Sequence, residues 1–435
     1  MNAIFLAIVG VAFGIGAVRQ IAWDGMGEAP MALLGKSMID AAGGAVTLAI
    51  GLVGVMALFL GLMKVAEEGG LLRIIAKVLR PLLIRLFPDV PADHPAMGSM
   101  ILNMSANALG LGNAATPFGI RAMQQLDELN PTKGTATNAM ALFLAINTSS
   151  ITLLPTGVIA LRAAAGSTDP AGIVPTTLFA TICSTAVAII SAKLLAPYFA
   201  APRPSSDDAP TPSPATEEAA LEAQEAVEGV QTDGTEAYPL WVSITALVTV
   251  GALVPLTVVY GREIAPWIVP GLMVALLGFG AAKGVQVYEC FVEGAKDGFN
   301  VALRIIPYLV AILTAVAMFR ASGAMDMLVG PLGSVTELIG LPAEALPMAL
   351  LRPLSGSGAY GVLASIIQDP AHGPDSLVGY LVSTFQGSTE TTFYVLAVYF
   401  GAVGIRRIRH ALIAALLADI AGIGAAVFIV NQLYG

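Results

Sequence analysis

Two of the apolar runs in this chain are cut near their middle by polar residues. Few folds can hold such a run. Gln386-Gly387-Ser388-Thr389-Glu390-Thr391-Thr392 lies between Tyr380-Leu381-Val382 and Phe393-Tyr394-Val395-Leu396-Ala397-Val398. Asn147-Thr148-Ser149-Ser150 follows the apolar residues 141–146 and precedes Leu153-Leu154-Pro155, where the proline removes a backbone donor. Each run is otherwise long and apolar enough to cross a bilayer. Backbone that leaves the helix at membrane depth is tolerated only where protein or a water-filled cavity satisfies it, so both cuts should face a site. One interrupted span in each half is the pattern of a transporter whose site lies between them.

The rest of the composition agrees with a polytopic, all-α membrane protein. The chain is 56% hydrophobic and 12% charged, with a mean hydropathy of +0.79. The net charge of −9 says little about partners, because residues 199–237 hold nine acids against Arg203 and the remainder is near neutral. That stretch, with Pro202, Pro204, Pro210, Pro212 and Pro214, reads as a disordered acidic linker. Cys183 and Cys290 are too few for a disulfide framework and read as packing residues. The first apolar run has no basic leader or cleavage site and reads as a retained helix.

The N-terminal half, 1–198, should hold spans near 3–22, 41–63, 138–163 and 172–197. Between the second and third lie a basic amphipathic segment at 68–88 and a glycine- and asparagine-rich stretch, 97–123, read as a re-entrant hairpin. The C-terminal half, 238–435, should open with two spans near 239–260 and 265–283 and then repeat the order. Its repeat runs through a span at 300–319, a surface segment at 322–341, a hairpin at 345–368, a broken span at 376–403 and a last span at 409–431. Basic residues crowd 64–85 in one half and 406–409 in the other, whereas the matching turns hold only Arg320 and Arg162. The positive-inside rule then runs the two repeats in opposite directions, with the N-terminus and linker cytoplasmic in a bacterial inner membrane.

Four stretches carry a family resemblance: 103–123 with Leu109-Gly110-Leu111-Gly112-Asn113-Ala114-Ala115-Thr116-Pro117-Phe118-Gly119, 144–153, 352–358 and 385–393. On these residues the chain resembles spore maturation protein A fused to spore maturation protein B. Each half also resembles the gate, or nucleoside-recognition, domain, which is similar to the core of concentrative nucleoside transporters and of ferrous-iron permeases. The resemblance implies a scaffold plus a moving domain of re-entrant hairpins and discontinuous helices, arranged as an inverted repeat.

Glu390 is the leading site candidate, since an ionised acid at membrane depth should meet a cation, a proton or a solute donor. Arg352 could fork onto a carboxylate or phosphate, or snorkel to the interface. Asn147, Thr148, Ser149 and Ser150, with Gln386, Ser388 and Thr389, offer amides, hydroxyls and freed carbonyls. Asn103, Ser105, Asn107 and Asn113 of the first hairpin, and Ser355 and Ser357 of the second, would bring helix ends and small polar groups to the midplane. Asn147, Ser150 and Glu390 are the candidates for a coupling ion, sodium or proton. Asp419, in the last span, either relays a proton or pairs internally, and internal pairing is the favoured reading. His94, His372 and His410 should be surface residues. No nucleophile elbow, phosphate loop, dinucleotide fingerprint or metal-ligand spacing occurs, so neither catalysis nor a cofactor is expected.

Two functions follow. One is a secondary transporter moving a small polar solute, anionic, zwitterionic or nucleoside-like, by alternating access. The other is a non-transporting membrane gate or assembly subunit that requires a partner protein. The expected partners are the bilayer and the solute, with no nucleic acid and a homo-oligomer left open.

Overall fold

The computed structural model describes residues 2–110, 112–149, 152–199, 238–325, 327, 333 and 336–435. The linker expected after residue 199, and residues 326, 328–332, 334 and 335 of the surface segment expected at 322–341, lie outside them. Among the described residues the chain is helical throughout, with one isolated backbone bridge, Thr135 to Arg407, where loops of the two halves meet. The N-terminal half holds α1 (Asn2–Ile21), α2 (Pro30–Glu68), α3 (Leu71–Leu86), α4 (Pro95–Ala108), α5 (Gly112–Glu128), α6 (Asn138–Ser149), α7 (Thr156–Ala164) and α8 (Ile173–Leu195). The C-terminal half holds α9 (Leu240–Ala282), α10 (Val287–Ala321), α11 (Leu346–Leu351), α12 (Gly356–Ile367), α13 (Leu377–Ser388), α14 (Thr392–Gly401) and α15 (Ala411–Tyr434).

Three described stretches are helical, long and apolar enough to cross a membrane: Pro30–Glu68, Pro170–Tyr198 and Ala411–Tyr434. The two spans expected at 239–260 and 265–283 form one continuous helix, α9. Gly261, Arg262, Glu263 and Pro266 at the expected join do not stop the helix. At 1.5 Å per residue the 39 residues of α2 and the 43 of α9 outrun the hydrocarbon thickness, so both must tilt or extend past it.

Helices α2 and α10 approach closely through small residues. A side chain at Gly298 would place its Cβ 2.5 Å from the Ala57 Cα, and at Gly61 2.8 Å from Phe291. Gly294 and Gly298 stand four apart, as Ala57 and Gly61 do, which is the spacing that lets membrane helices touch backbone to backbone.

The buried apolar residues form two large clusters, and the cores do not follow the halves. One joins the end of α2 with α3 to α6, α14 and the start of α15. The other joins the start of α2 with α7, the start of α8, α10 to α13 and the end of α15. Each discontinuous helix therefore begins in one core and finishes in the other: α6 shares a core with α14, and α7 with α13.

Candidate functional site

The two helix breaks touch. The Thr148 carbonyl, in the last turn of α6, accepts a 2.8 Å hydrogen bond from the Glu390 N–H, so one break satisfies backbone freed by the other. Each break is also tied to the hairpin turn of its own half. Leu153 N–H donates to the Ala108 carbonyl at 3.0 Å, and Phe393 N–H donates to the Pro353 carbonyl at 3.1 Å. Gly110, at φ +73°, makes the first turn, and a side chain there would meet the Leu154 carbonyl oxygen at 2.7 Å.

Arg352 caps α11 and is 3% exposed. Its guanidinium is turned onto the second break, donating to Thr391 Oγ1 at 2.9 Å and to the Thr389 carbonyl. Glu390 Oε2 stands 3.7 Å from the same guanidinium, and the Glu390 side chain is half exposed. The arginine's Nε has no partner among the described residues. Arg352 thus organises the backbone that carries Glu390 and presents the carboxylate to open space.

That space is a cleft of about 170 Å³ lined by both halves. Asn107 and Gly110 come from the first hairpin, 154–158 from the first break and start of α7, Tyr360 from α12, and Gln386, Gly387 and Glu390 from the second break. Tyr360 donates to the Gly157 carbonyl at 2.9 Å and closes one wall. Gln386 Oε1 is buried without a hydrogen-bond partner among the described residues, an acceptor left for something in the cleft.

Behind the cleft lies an amide network. Asn107 Nδ2 donates to Asn147 Oδ1 at 2.9 Å, and Asn147 Nδ2 donates to the Phe143 carbonyl at 2.9 Å. Tyr399 of α14 reaches across, its hydroxyl 3.4 Å from Asn147 Oδ1 and accepting from Asn103 Nδ2 at 3.1 Å. Asn103 also donates to the Ala115 carbonyl at 2.7 Å, which joins the two arms of the first hairpin.

The fold therefore brings Asn107, Gln386 and Glu390 to the cleft, with Asn103 and Asn147 behind it and Arg352 and Thr389 beneath it. Thr148, Ser149 and Ser388 bond back to carbonyls three residues earlier, as hydroxyls in helices often do. Ser105 bonds to the Ile101 carbonyl, and Ser355 caps α12 by accepting from Gly358 N–H at 2.9 Å. Ser357 is exposed and does not line the cleft. Ser150 and the side chain of Asn113 lie outside the described residues.

Sequence reasoning missed Tyr360 and Tyr399, because a tyrosine in an apolar run looks like an interfacial anchor. It also misread two residues by their position in turns. His410, expected on the surface, is fully buried with both ring nitrogens unpartnered among the described residues, because residues 404–410 fold back onto 134–136 of the other half. Arg162, counted as a loop charge, is fully buried between the halves. It donates to the carbonyls of Pro374 and Asp169, to Ser167 and to Asp375 Oδ1 at 3.1 Å, and it lies 4.3 Å from the Tyr380 ring centroid.

The sequence profile described as "Gate: Nucleoside recognition" matches residues 49–165 and 302–406. The chain is 47% identical over 177 residues to spore maturation protein B of Bacillus subtilis (strain 168), covering 40% of this chain and 98% of that protein. It is 51% identical over 146 residues to spore maturation protein A of the same organism, covering 34% of this chain and 74% of that protein. It is 32% identical over 82 residues to the inner membrane protein YjiG of Escherichia coli (strain K12), covering 19% of this chain and 54% of that protein. A solved CNTnw variant in an outward-facing state aligns over 100% of this chain and 84% of its own, at 13% identity and a TM-score of 0.43. Both gate segments contain one hairpin and one helix break, and the chain belongs to the gate, nucleoside-recognition family of bacterial membrane proteins, with spore maturation proteins A and B among its relatives.

Proposed function

We propose that this protein is a secondary transporter that binds a small polar solute in the cleft between its two helix breaks. The observation that carries the reading is the junction itself: two interrupted helices bonded to each other at Glu390 and Thr148, beside a cleft that both halves line. Because each broken helix ends in a different core, rocking one core against the other would open the cleft on alternate sides. The charge facing the cleft is the Glu390 carboxylate, with the Gln386 oxygen free beside it. Both accept hydrogen bonds, so they suit a solute rich in donors, zwitterionic or nucleoside-like rather than purely anionic. The volume suits a solute of about amino-acid or nucleobase size. Arg352 is a positioning residue in this reading, and sodium or a proton would couple the cycle. The basic clusters at 64–85 and 406–409 support a cytoplasmic N-terminus and acidic linker.

The test is binding by thermal shift against nucleosides, amino acids, short peptides and small dicarboxylates, with and without sodium. A stabilising solute whose effect disappears in Glu390→Gln supports the site. Silence across the panel from folded protein would move the assignment to a gate subunit that needs a partner chain. One observation favours that second reading: its two Bacillus relatives are separate, shorter chains, each matching only part of this one. Co-purification of a stoichiometric partner without solute binding would establish it.

A further inference from the structure

A second carboxyl group lies under the break, and the cleft does not use it. Asp419, in the middle of α15, is 2% exposed. Its Oδ2 accepts a 2.6 Å hydrogen bond from Thr392 Oγ1, at the first residue of α14, and its Oδ1 has no partner among the described residues. The surroundings are built closely around it. Ser184 of α8 donates to the neighbouring Ala418 carbonyl at 2.8 Å, and one turn along, a side chain at Gly422 would press on the Thr389 methyl at 2.8 Å. The face of α15 that carries Asp419 therefore supports the second break from below, at both its first and last residues.

The helices packed on α15 bring little charge to this carboxyl. Helix α6 has no ionisable residue, α13 has Tyr380, α14 has Tyr394 and Tyr399, and α8 has Cys183 and, far along it, Lys193 bonded to the Leu86 carbonyl. Among the described residues the charge whose field reaches Asp419 is that of Arg352, which also stands 3.7 Å from Glu390 and is bonded to Thr389 and Thr391. An ionised carboxylate with one hydroxyl donor at this depth is costly, whereas a neutral acid leaves one weakly unsatisfied group.

We propose that Asp419 is a proton-binding site, occupied in this conformation, whose occupancy sets the geometry of the 389–392 break. Loss of the proton from Oδ1 leaves an anion that draws the Arg352 guanidinium and the Thr392 hydroxyl toward α15. Both hold the break, so the segment carrying Glu390 must rearrange. The proton site stands on its own geometry; only its consequence, a transport cycle driven by protons, rests on the transport reading.

Two measurements on purified full-length protein test it without needing a solute. Infrared spectroscopy in water and deuterium oxide should show a protonated-carboxyl band at neutral pH, absent in Asp419→Asn and displaced in Asp419→Glu. Hydrogen exchange of residues 386–396 should match between wild type and Asp419→Asn at acid pH. Once the band has titrated away, that segment should exchange about tenfold faster in wild type than in Asp419→Asn at the same pH. If the asparagine variant does not fold, the wild-type titration and the glutamate variant carry both readouts. Absence of the band, or a carboxylate stretch that responds to sodium instead, overturns the proposal, as does exchange at the break that ignores the band's titration. A normal band and exchange response together with failure to bind any solute would count against the transport reading alone.

Discussion

Arg162 and Arg352 are both buried arginines at junctions between structural units, yet they are used differently. Arg162 is the more fully bonded: two backbone carbonyls, Ser167, Asp375 and the Tyr380 ring surround its terminal nitrogens, although its Nε, like that of Arg352, has no hydrogen-bond partner among the described residues. Asp375 completes that set by accepting from Ser167 and from both the N–H and hydroxyl of Thr168. Burial works against its charge, but these donors and Arg162 outweigh burial and hold its carboxyl below the usual range. Arg352 has two good acceptors, a carboxylate at 3.7 Å and an unpartnered Nε. A buried cation with a carboxylate at hydrogen-bond distance fixes two loops in one arrangement. One held by neutral acceptors, with its carboxylate farther off, can change partners, which is what a site that must move requires.

The comparison can be broken most directly at Arg162. Arg162→Met leaves Asp375 without its cation and should lower unfolding stability by about 3 kcal/mol, measured by denaturant titration in detergent. A loss below that of Arg352→Ala would reverse the assignment. Arg352→Ala should cost less, about 1–2 kcal/mol, because its two hydrogen-bond acceptors are neutral and the Glu390 carboxylate it would leave without a cation is half exposed, while abolishing solute-dependent stabilisation. Tyr399→Phe tests a neutral link between the halves: losing the hydroxyl that bridges Asn103 and Asn147 should cost about 1 kcal/mol. His410 extends the series to a buried group with no acceptor among the described residues, and its effect is read as a pH dependence. Burial, and then the neighbouring Arg409 charge, hold its imidazole down to about 4 from an ordinary 6.5. The unfolded chain therefore takes up the proton first, so stability that is complete above pH 6.5 should fall as pH drops through about 4. His410→Phe should flatten thermal stability across that window, and an unchanged slope would show that other groups set it.

Much of the frame is legible in the residues. Hairpins and breaks fall where polar and glycine-rich stretches interrupt apolar runs, because unsatisfied backbone at membrane depth restricts where such residues can go. Helix ends follow the same logic at Pro155, Ser355 and Ser376, the last capping α13 by accepting from Gly379 N–H at 2.9 Å. The side-chain roles are less legible. A serine in a break reads the same whether it faces a cleft, as none of the described ones does, or bonds back to its own helix, as Ser149 and Ser388 do. A single arginine in a turn gives no sign that a turn 200 residues away supplies its acceptors.

What the sequence by itself determined is a helical membrane protein with two hairpins and two interrupted spans, because the cost of exposing backbone in lipid is local and acts residue by residue. Only the tertiary structure decided that the breaks bond to each other, that Arg352 holds a backbone segment while Arg162 staples the turns, and that Asp419 accepts from Thr392 at the foot of the second break. Those outcomes depend on contacts between residues hundreds of positions apart, which local pattern cannot specify.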